Sequence, residues 1–376
     1  METPAEPDET LTPGEEGLEF PCRECGAAMS WDPDADALTC GYCEARVEVP
    51  RADGQIEERG LHEVESAARG LGLEVRVTAC ETCGARVTFE GQATAERCVF
   101  CGSPSVLPQE ANRNALRPES LVPLDVGRTA VETNFRRWAS SLWFRPNALK
   151  KANTSSAVGV YVPFWTFDAR VHSSWSADSG TYYYVPVTRT VRVNGRTTTR
   201  TTMERRTRWR PAWGERSDTY DDLLILAAAG QPADLVRKLG SFDLEGLVPY
   251  QPHYLAGWRA EEYSVELEDG WAQGRARVIS SQESRCAGDV PGDTYRNLRV
   301  HNQIDDVRWK HLLLPIWSLQ YELRGKPYTV LVHGQTGRVV GRAPYSWAKI
   351  LSLVLVVLLV ALVVVVLANS PVVQGR

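Results

Sequence analysis

Eight of the chain's nine cysteines fall in four Cys-x-x-Cys pairs, and the pairs form two matched quartets. "CRECGAAMSWDPDADALTCGYC" runs from Cys22 to Cys43, and "CETCGARVTFEGQATAERCVFC" from Cys80 to Cys101. The cysteines recur at a constant offset of 58; under it Gly26, Ala27, Trp31 and Tyr42 meet Gly84, Ala85, Phe89 and Phe100. Such a match is an internal repeat. Fourteen residues separate the two pairs in each quartet, at the short edge of ribbon spacing. Two residues between paired cysteines let both sulfurs aim at one point, and tetrahedral zinc takes four thiolates at about 2.3 Å. The pattern predicts two tandem β zinc ribbons, with ligands Cys22, Cys25, Cys40 and Cys43 in one and Cys80, Cys83, Cys98 and Cys101 in the other.

Local residues agree with that reading. Gly26 and Gly84 permit a tight turn after the second cysteine, and Asp32-Pro33 and Gly91 mark hairpin turns. Trp31, Tyr42, Phe89 and Phe100 are expected to supply each ribbon's small core. Segments this short fold on metal more than on burial. Redox pairs usually come singly inside an α/β pattern, which is absent, and duplication favours zinc over an iron–sulfur cluster. With all four positions filled by protein, the expected ions are structural, not catalytic. Cys286 stands alone and is expected to be a buried thiol without a role.

"ILSLVLVVLLVALVVVVLA", Ile350 to Ala368, has no charged residue. As a helix it would span about 28 Å, close to a bilayer's hydrocarbon core. It predicts a single transmembrane helix. Tyr345 and Trp347 stand where interfacial aromatics anchor such helices. Arg338, Arg342 and Lys349 precede it and only Arg376 follows, which predicts a cytoplasmic location for the N-terminal bulk. The cysteine pairs fit that reducing compartment. Residues 1–20 hold seven acids and no base, so they are expected to be a disordered tail; no signal peptide is expected there.

The expected order is an acidic tail over 1–20, ribbon one over 21–50, a linker over 51–77 with a short polar helix, and ribbon two over 78–107. An α+β domain with an antiparallel sheet then occupies 108–345, followed by the transmembrane helix over 350–368 and a short tail over 369–376. Val131, Phe135, Trp138 and Leu142 have amphipathic helical spacing, and "DGWAQGRARVISSQES" predicts a second helix weakened by Gly274. "VGVYVPFWTFDARVHSSWSA" has strand composition, and Asn194-Gly195 between Val/Thr/Arg runs signals a hairpin. The end, from His311, predicts a closing meander with turns at Arg324-Gly325 and Gln335 to Gly337.

The hairpin over 185–210 is rich in arginine. From Pro186 to Arg216 nine arginines face Glu204 and Glu215, a local charge of +7. Arg189, Arg192, Arg196, Arg200, Arg205, Arg206, Arg208 and Arg210 are candidates for contact with anionic lipid or nucleic acid, against a plain solvated face. His172, His253, His301, His311 and His333 lack ligand spacing. No phosphate loop, G-x-S-x-G elbow or H-E-x-x-H motif occurs, so neither an enzyme nor a small-molecule substrate is expected.

The paired ribbons, "GVYVPFWTFDA", "PYQPHYLAGWRAEEYSV", "LLLPIWSLQYELRGKPYTVLVHGQTGRVVGRAP" and the apolar end together resemble a bacterial family of membrane-anchored zinc-ribbon proteins. Its members often carry primosomal-helicase or TFIIB-type ribbon labels, although this chain has no helicase motor. The resemblance implies a membrane-stress adaptor that recruits SPFH-domain or phage-shock-type proteins. His333 departs from the family's "NGQTG", where asparagine is expected. The leading expectation is thus a non-enzymatic, membrane-anchored adaptor or scaffold. The alternative is a membrane-tethered nucleic-acid binder using the ribbons and the arginine hairpin, although the first ribbon is not basic.

Overall fold

The computed structural model describes residues 20–49, 56–71, 76–89, 97–151, 157–193, 196–228, 233–323 and 325–368. The expected acidic tail before Phe20, the turn residues Gly91, Asn194 and Gly195, and the tail after 368 lie outside them. Near the N-terminus, β1 (Phe20–Pro21), β2 (Ala28–Asp32), β3 (Ala37–Cys40) and β4 (Arg46–Val47) form a four-stranded antiparallel sheet in that order. After β5 (Arg59–Gly60), the helix expected in the linker is a 3-10 segment over Leu61–Ser66. Then β6 (Arg76–Cys80), β7 (Arg86–Phe89) and β8 (Val106–Glu110) make a three-stranded antiparallel sheet ordered β7-β6-β8.

The rest of the described chain builds one large sheet and the helices on it. In order come β9 (Ser120–Leu121), α1 (Arg128–Ser141), β10 (Val158–Val193), β11 (Arg196–Leu226), α2 (Ala233–Leu239), β12 (Val248–Pro249), β13 (Arg259–Ala260) and α3 (Leu267–Asp289). β14 (Thr294–Leu323), β15 (Lys326–His333), β16 (Val339–Gly341) and α4 (Trp347–Ala368) follow. The main path β11-β10-β14-β15-β16 is antiparallel. The whole sheet is mixed, which corrects the antiparallel expectation: β13 runs parallel to β10, and β9 parallel to β14. The cause is unequal strand length. β11 pairs with β10 only from Phe164 onward, and β13 fills the edge left bare at Val160 and Tyr161. On β14 the edge short of β15 is covered by β9 at Leu312 and Leu313 and by β5 at Arg308 and Trp309. Bare edges invite pairing with other chains, so short strands here act as covers.

Strand alternation decides where everything packs, because successive side chains point to opposite faces. Val160, Val162 and Phe164 of β10 lie opposite Ile316, Leu314 and Leu312 of β14. That face carries the second small sheet, through Cys80, Cys83, Val87, Cys98 and Phe100, and α2. Tyr161 and Leu313 point the other way and meet the first small sheet through Phe20, Met29, Trp31 and Leu38. On this second face α1 covers Trp317, Leu319 and Val330. The two cysteine-bearing sheets therefore clamp opposite faces of one sheet. Trp31 illustrates the seat: its amide donates to Ala256 O at 3.0 Å, its carbonyl accepts from Trp258 Nε1, and its ring meets Tyr254 at 4.8 Å.

Three strands run on beyond this core as a blade. At about 3.3 Å per residue, the 36 residues of β10 extend roughly 120 Å. β14 pairs with β10 as far as Gly180–Thr294, and beyond that β10 and β11 form a two-stranded ribbon to Val193–Arg196. α3 lies on the blade's second face, burying Leu267, Gly270, Gly274, Val278, Gln282 and Cys286. A methyl at Gly270 would sit 2.6 Å from Trp165 Cδ1, so the glycines that weaken the helix also let it approach the strands. His333 resolves its own oddity. Its Nδ1 accepts the amides of Gln335 and Thr336, as an asparagine oxygen would, and Nε2 reaches Ser241 O at 3.2 Å.

Candidate metal centres

Each cysteine pair sits on the same backbone device. In the first pair Gly26 N donates to Cys22 O at 2.8 Å and Cys22 N to Ala27 O at 2.8 Å. Glu44 and Cys40 repeat this with Cys40 O and Ala45 O, Gly84 and Cys80 with Cys80 O and Ala85 O, and Gly102 and Cys98 with Cys98 O and Ser103 O. The turn residue is left-handed in all four, with φ of 74° at Gly26, 62° at Glu44, 76° at Gly84 and 74° at Gly102. Gly102 and Glu44 complete a fourfold pattern of which sequence reading recognised only two members. Gly102 was legible at its position after Cys101; Glu44 was not, because glutamate rarely adopts that conformation.

The turns bring the sulfurs together. Cys22 Sγ lies 3.5 Å from Cys43 Sγ, and Cys25 Sγ 3.5 Å from Cys40 Sγ. In the second quartet Cys80 to Cys101 is 3.5 Å and Cys83 to Cys98 is 3.6 Å. Within each group all four sulfurs lie within 4.8 Å of one another. Sulfurs at tetrahedral corners about 2.3 Å from zinc would be roughly 3.8 Å apart, so both groups are arranged to hold a metal ion and are consistent with zinc.

The thiols themselves call for a cation. Hydrogen bonds from the Cys43 and Tyr42 amides pull Cys40 down to about 6. Cys98 is lowered to about 5 by its contact with Cys83 and by the Cys101 and Phe100 amides. Each such thiolate resists a second beside it. The Cys98 contact pushes Cys83 far up, and burial with the nearby Cys98 charge pushes Cys101 up to about 11. In the first group, Cys43 rises to about 12 against its sulfur neighbours, Cys25 foremost, and Cys25 is raised too, by desolvation within the quartet and by the Cys40 and Cys22 sulfurs. A metal ion must displace the protons of these raised thiols, at least two per site. Affinity should therefore increase with pH by at least about a hundredfold per unit near neutrality and fall as acid returns the protons. Calorimetric loading in buffers of different ionisation enthalpy measures that release; no buffer dependence would contradict it.

The two sites differ in setting. In the second, Cys80, Cys83 and Cys98 are buried, and the large sheet holds the knuckle by its carbonyls: Ser318 Oγ donates to Val99 O at 2.6 Å, Gln320 Nε2 to Cys98 O, and Thr329 Oγ1 to Phe100 O at 2.6 Å. These three side chains lie more than 200 residues away in sequence, and no local signal marked them. In the first site Cys22 and Cys40 are buried while Cys25 and Cys43 are exposed. Tyr42, expected in that ribbon's core, is instead 82% exposed, because it sits at the outer tip of the knuckle. Its repeat partner Phe100 is buried against the sheet, as is Trp31 on the first ribbon; the Phe89 side chain lies outside the described residues. Cys286 is a buried thiol beside Trp175 and Val290.

The arginine ribbon has two unlike faces. Register places Arg189, Arg200, Arg206, Arg208 and Arg210 on one face with Tyr183 and Glu204, and Arg205 on the other with Tyr182 and Tyr184. Arg189 lies 3.3 Å and Arg206 3.7 Å from Glu204, and Arg205 stacks over Tyr182 at 4.3 Å. Arg192 and Arg196 lie on the paired strands, but their side chains lie outside the described ones. Arg216 is held by Asp218 and Asp289 at 2.6 and 2.7 Å, so part of the local +7 is already neutralised. Among the histidines, His253 and His311 are pushed down to about 4 by burial, and none joins a metal-ligating cluster among the described residues. The helix α4 is long and apolar enough to cross a membrane, and over Trp347–Val365 none of it is buried in the protein.

No protein-family model matches the chain, and no solved structure matches it. Over 346 residues, 89% of this chain and 92% of the relative, it is 26% identical to "Uncharacterized protein YdjG" of Bacillus subtilis (strain 168), to which it is therefore similar across most of its length.

Proposed function

We propose that this protein is a membrane-anchored zinc-ribbon adaptor, not an enzyme. In this reading α4 is a single transmembrane span, the bulk of the chain lies on the cytoplasmic side, and two structural zinc ions hold the ribbons. The second ribbon braces the large sheet, and the first presents a surface to protein partners. One observation carries the proposal most: the inner half of the first ribbon is seated on the sheet, while its outer tip, with Cys25, Tyr42 and Cys43, faces solvent. A rigid, outward-facing aromatic knuckle suits recognition by another protein. The family resemblance supplies the partner class, SPFH-domain or phage-shock-type membrane-stress proteins.

A second reading has its own observation, the five arginines sharing one face of the β10–β11 ribbon. It makes the protein a tethered nucleic-acid binder whose affinity falls steeply with salt. Capture of the full chain from mild detergent separates the two. Tyr42→Ser alters only an exposed side chain, so it should fold and lose specific protein partners. Partners that persist in that variant and vanish with nuclease would overturn the adaptor in favour of the second reading.

A further inference from the structure

The segment joining α1 to β10 carries a feature that neither the metal sites nor the blade requires. In it Leu149 is fully buried and Leu142 is half-buried against the α1 cluster. Between them Trp143 and Phe144 turn outward, 75% and 40% exposed. A loop with an apolar cluster beneath it has somewhere to put two large aromatics, yet these stand away from it. Their backbone is tied to the start of α4. Ser346 N donates to Phe144 O at 2.8 Å. Lys349 Nζ donates to Trp143 O at 3.2 Å, Arg145 O at 2.8 Å and Asn147 Oδ1 at 2.7 Å. Arg145 lies over the Tyr345 ring at 3.6 Å, and Trp347, beside it, is exposed. Two segments about 200 residues apart thus place three large aromatics and Tyr345 around the first turn of an uncovered apolar helix, with Arg145 and Lys349 among them.

We infer that the 142–147 loop is a second membrane contact, a foot that sits in the lipid headgroup interface beside α4. Tryptophan and other aromatics are favoured at that depth, where an apolar ring meets a wet boundary, and cationic side chains extend toward headgroups from the same level. Lys349 serves as the clamp. Its ammonium satisfies three loop oxygens, so the loop and the helix's first turn move as one piece. The consequence is orientation: a single helix leaves a body free to swivel, whereas a helix with a foot fixes the tilt of the body, and hence the direction of the blade. The foot rests on α4 crossing a bilayer, as proposed above.

The test uses the full chain in vesicles of phosphatidylcholine and phosphatidylglycerol, with a photo-crosslinking p-benzoylphenylalanine placed singly at Trp143, Val357 or Trp213. Val357 reports the span, and Trp213, 78% exposed on the blade, reports a distant exposed aromatic. Lipid adducts at 143 and 357 with none at 213 are the expected result. Adducts at 357 alone would overturn the foot while leaving the anchor standing. Adducts to a second protein chain at 143, or lipid adducts at 143 and 213 alike, would overturn it as well. An absence of lipid adducts at 357 would remove the anchor and the foot with it.

Discussion

Replacing Cys98 with serine will abolish the cooperative unfolding of the whole body, whereas Cys25→Ser will unfold only the first ribbon. A structural zinc site contributes on the order of 10–16 kcal/mol, and whole domains are stable by about 5–15 kcal/mol. Losing a site coupled to the body therefore exceeds what the body has to lose. The second site is so coupled: Cys98 is 5% exposed within the cluster that contains Val160, Leu312 and Leu314, and its carbonyl is held by Gln320. Cys25 lies on the outer rim, and its loss leaves the opposite face of the sheet covered by the second ribbon and α2. Thermal unfolding followed by far-ultraviolet dichroism distinguishes them. An unchanged melting temperature for Cys98→Ser would contradict the bracing role.

The second large effect concerns α4. Its sixteen leucine, isoleucine and valine residues between Ile350 and Ala368 each favour insertion by about 0.3–0.6 kcal/mol, while an aspartate near the centre opposes it by about 3 kcal/mol. One aspartate should weaken insertion without reversing it. Leu355→Asp, Leu358→Asp and Leu362→Asp together should reverse it and move the protein from the carbonate-resistant membrane fraction to the supernatant. A triple variant that still pellets with membranes, or an unaltered chain that washes off in carbonate, would contradict a transmembrane anchor.

These effects also show which features a sequence can carry. Cysteine spacing is covalent and local, so both quartets were readable, as were the amphipathic helix now seen as α1 and the apolar run of α4. The partners of the knuckles were not. Ser318, Gln320 and Thr329 look like ordinary polar residues of a strand, and only strand register brings them over the second site. The blade was half legible. Asn194-Gly195 announced a hairpin, but nothing local says that β10 runs for 36 residues or that the stretch from Thr294 supplies its third strand. α3 was legible as a helix over Asp269–Ser284, but the face it buries was not, for a related reason. Its buried stripe is Gly270, Gly274, Gln282 and Cys286 among few large apolar residues, because the blade's own aromatics fill the space. Tyr42 was misplaced because the repeat suggested equivalence with Phe100, and the two ribbons meet different surroundings: Phe100 faces the sheet and Tyr42 faces water.

The central claim is that two metal ions, one on each face of the large sheet, hold this body together. Elemental analysis of the full chain, purified in detergent without added metal or chelator, tests it most directly. The account predicts two zinc ions per chain, with the first released to a chelator well before the second. A folded protein containing no transition metal, or iron with acid-labile sulfide in place of zinc, would contradict it.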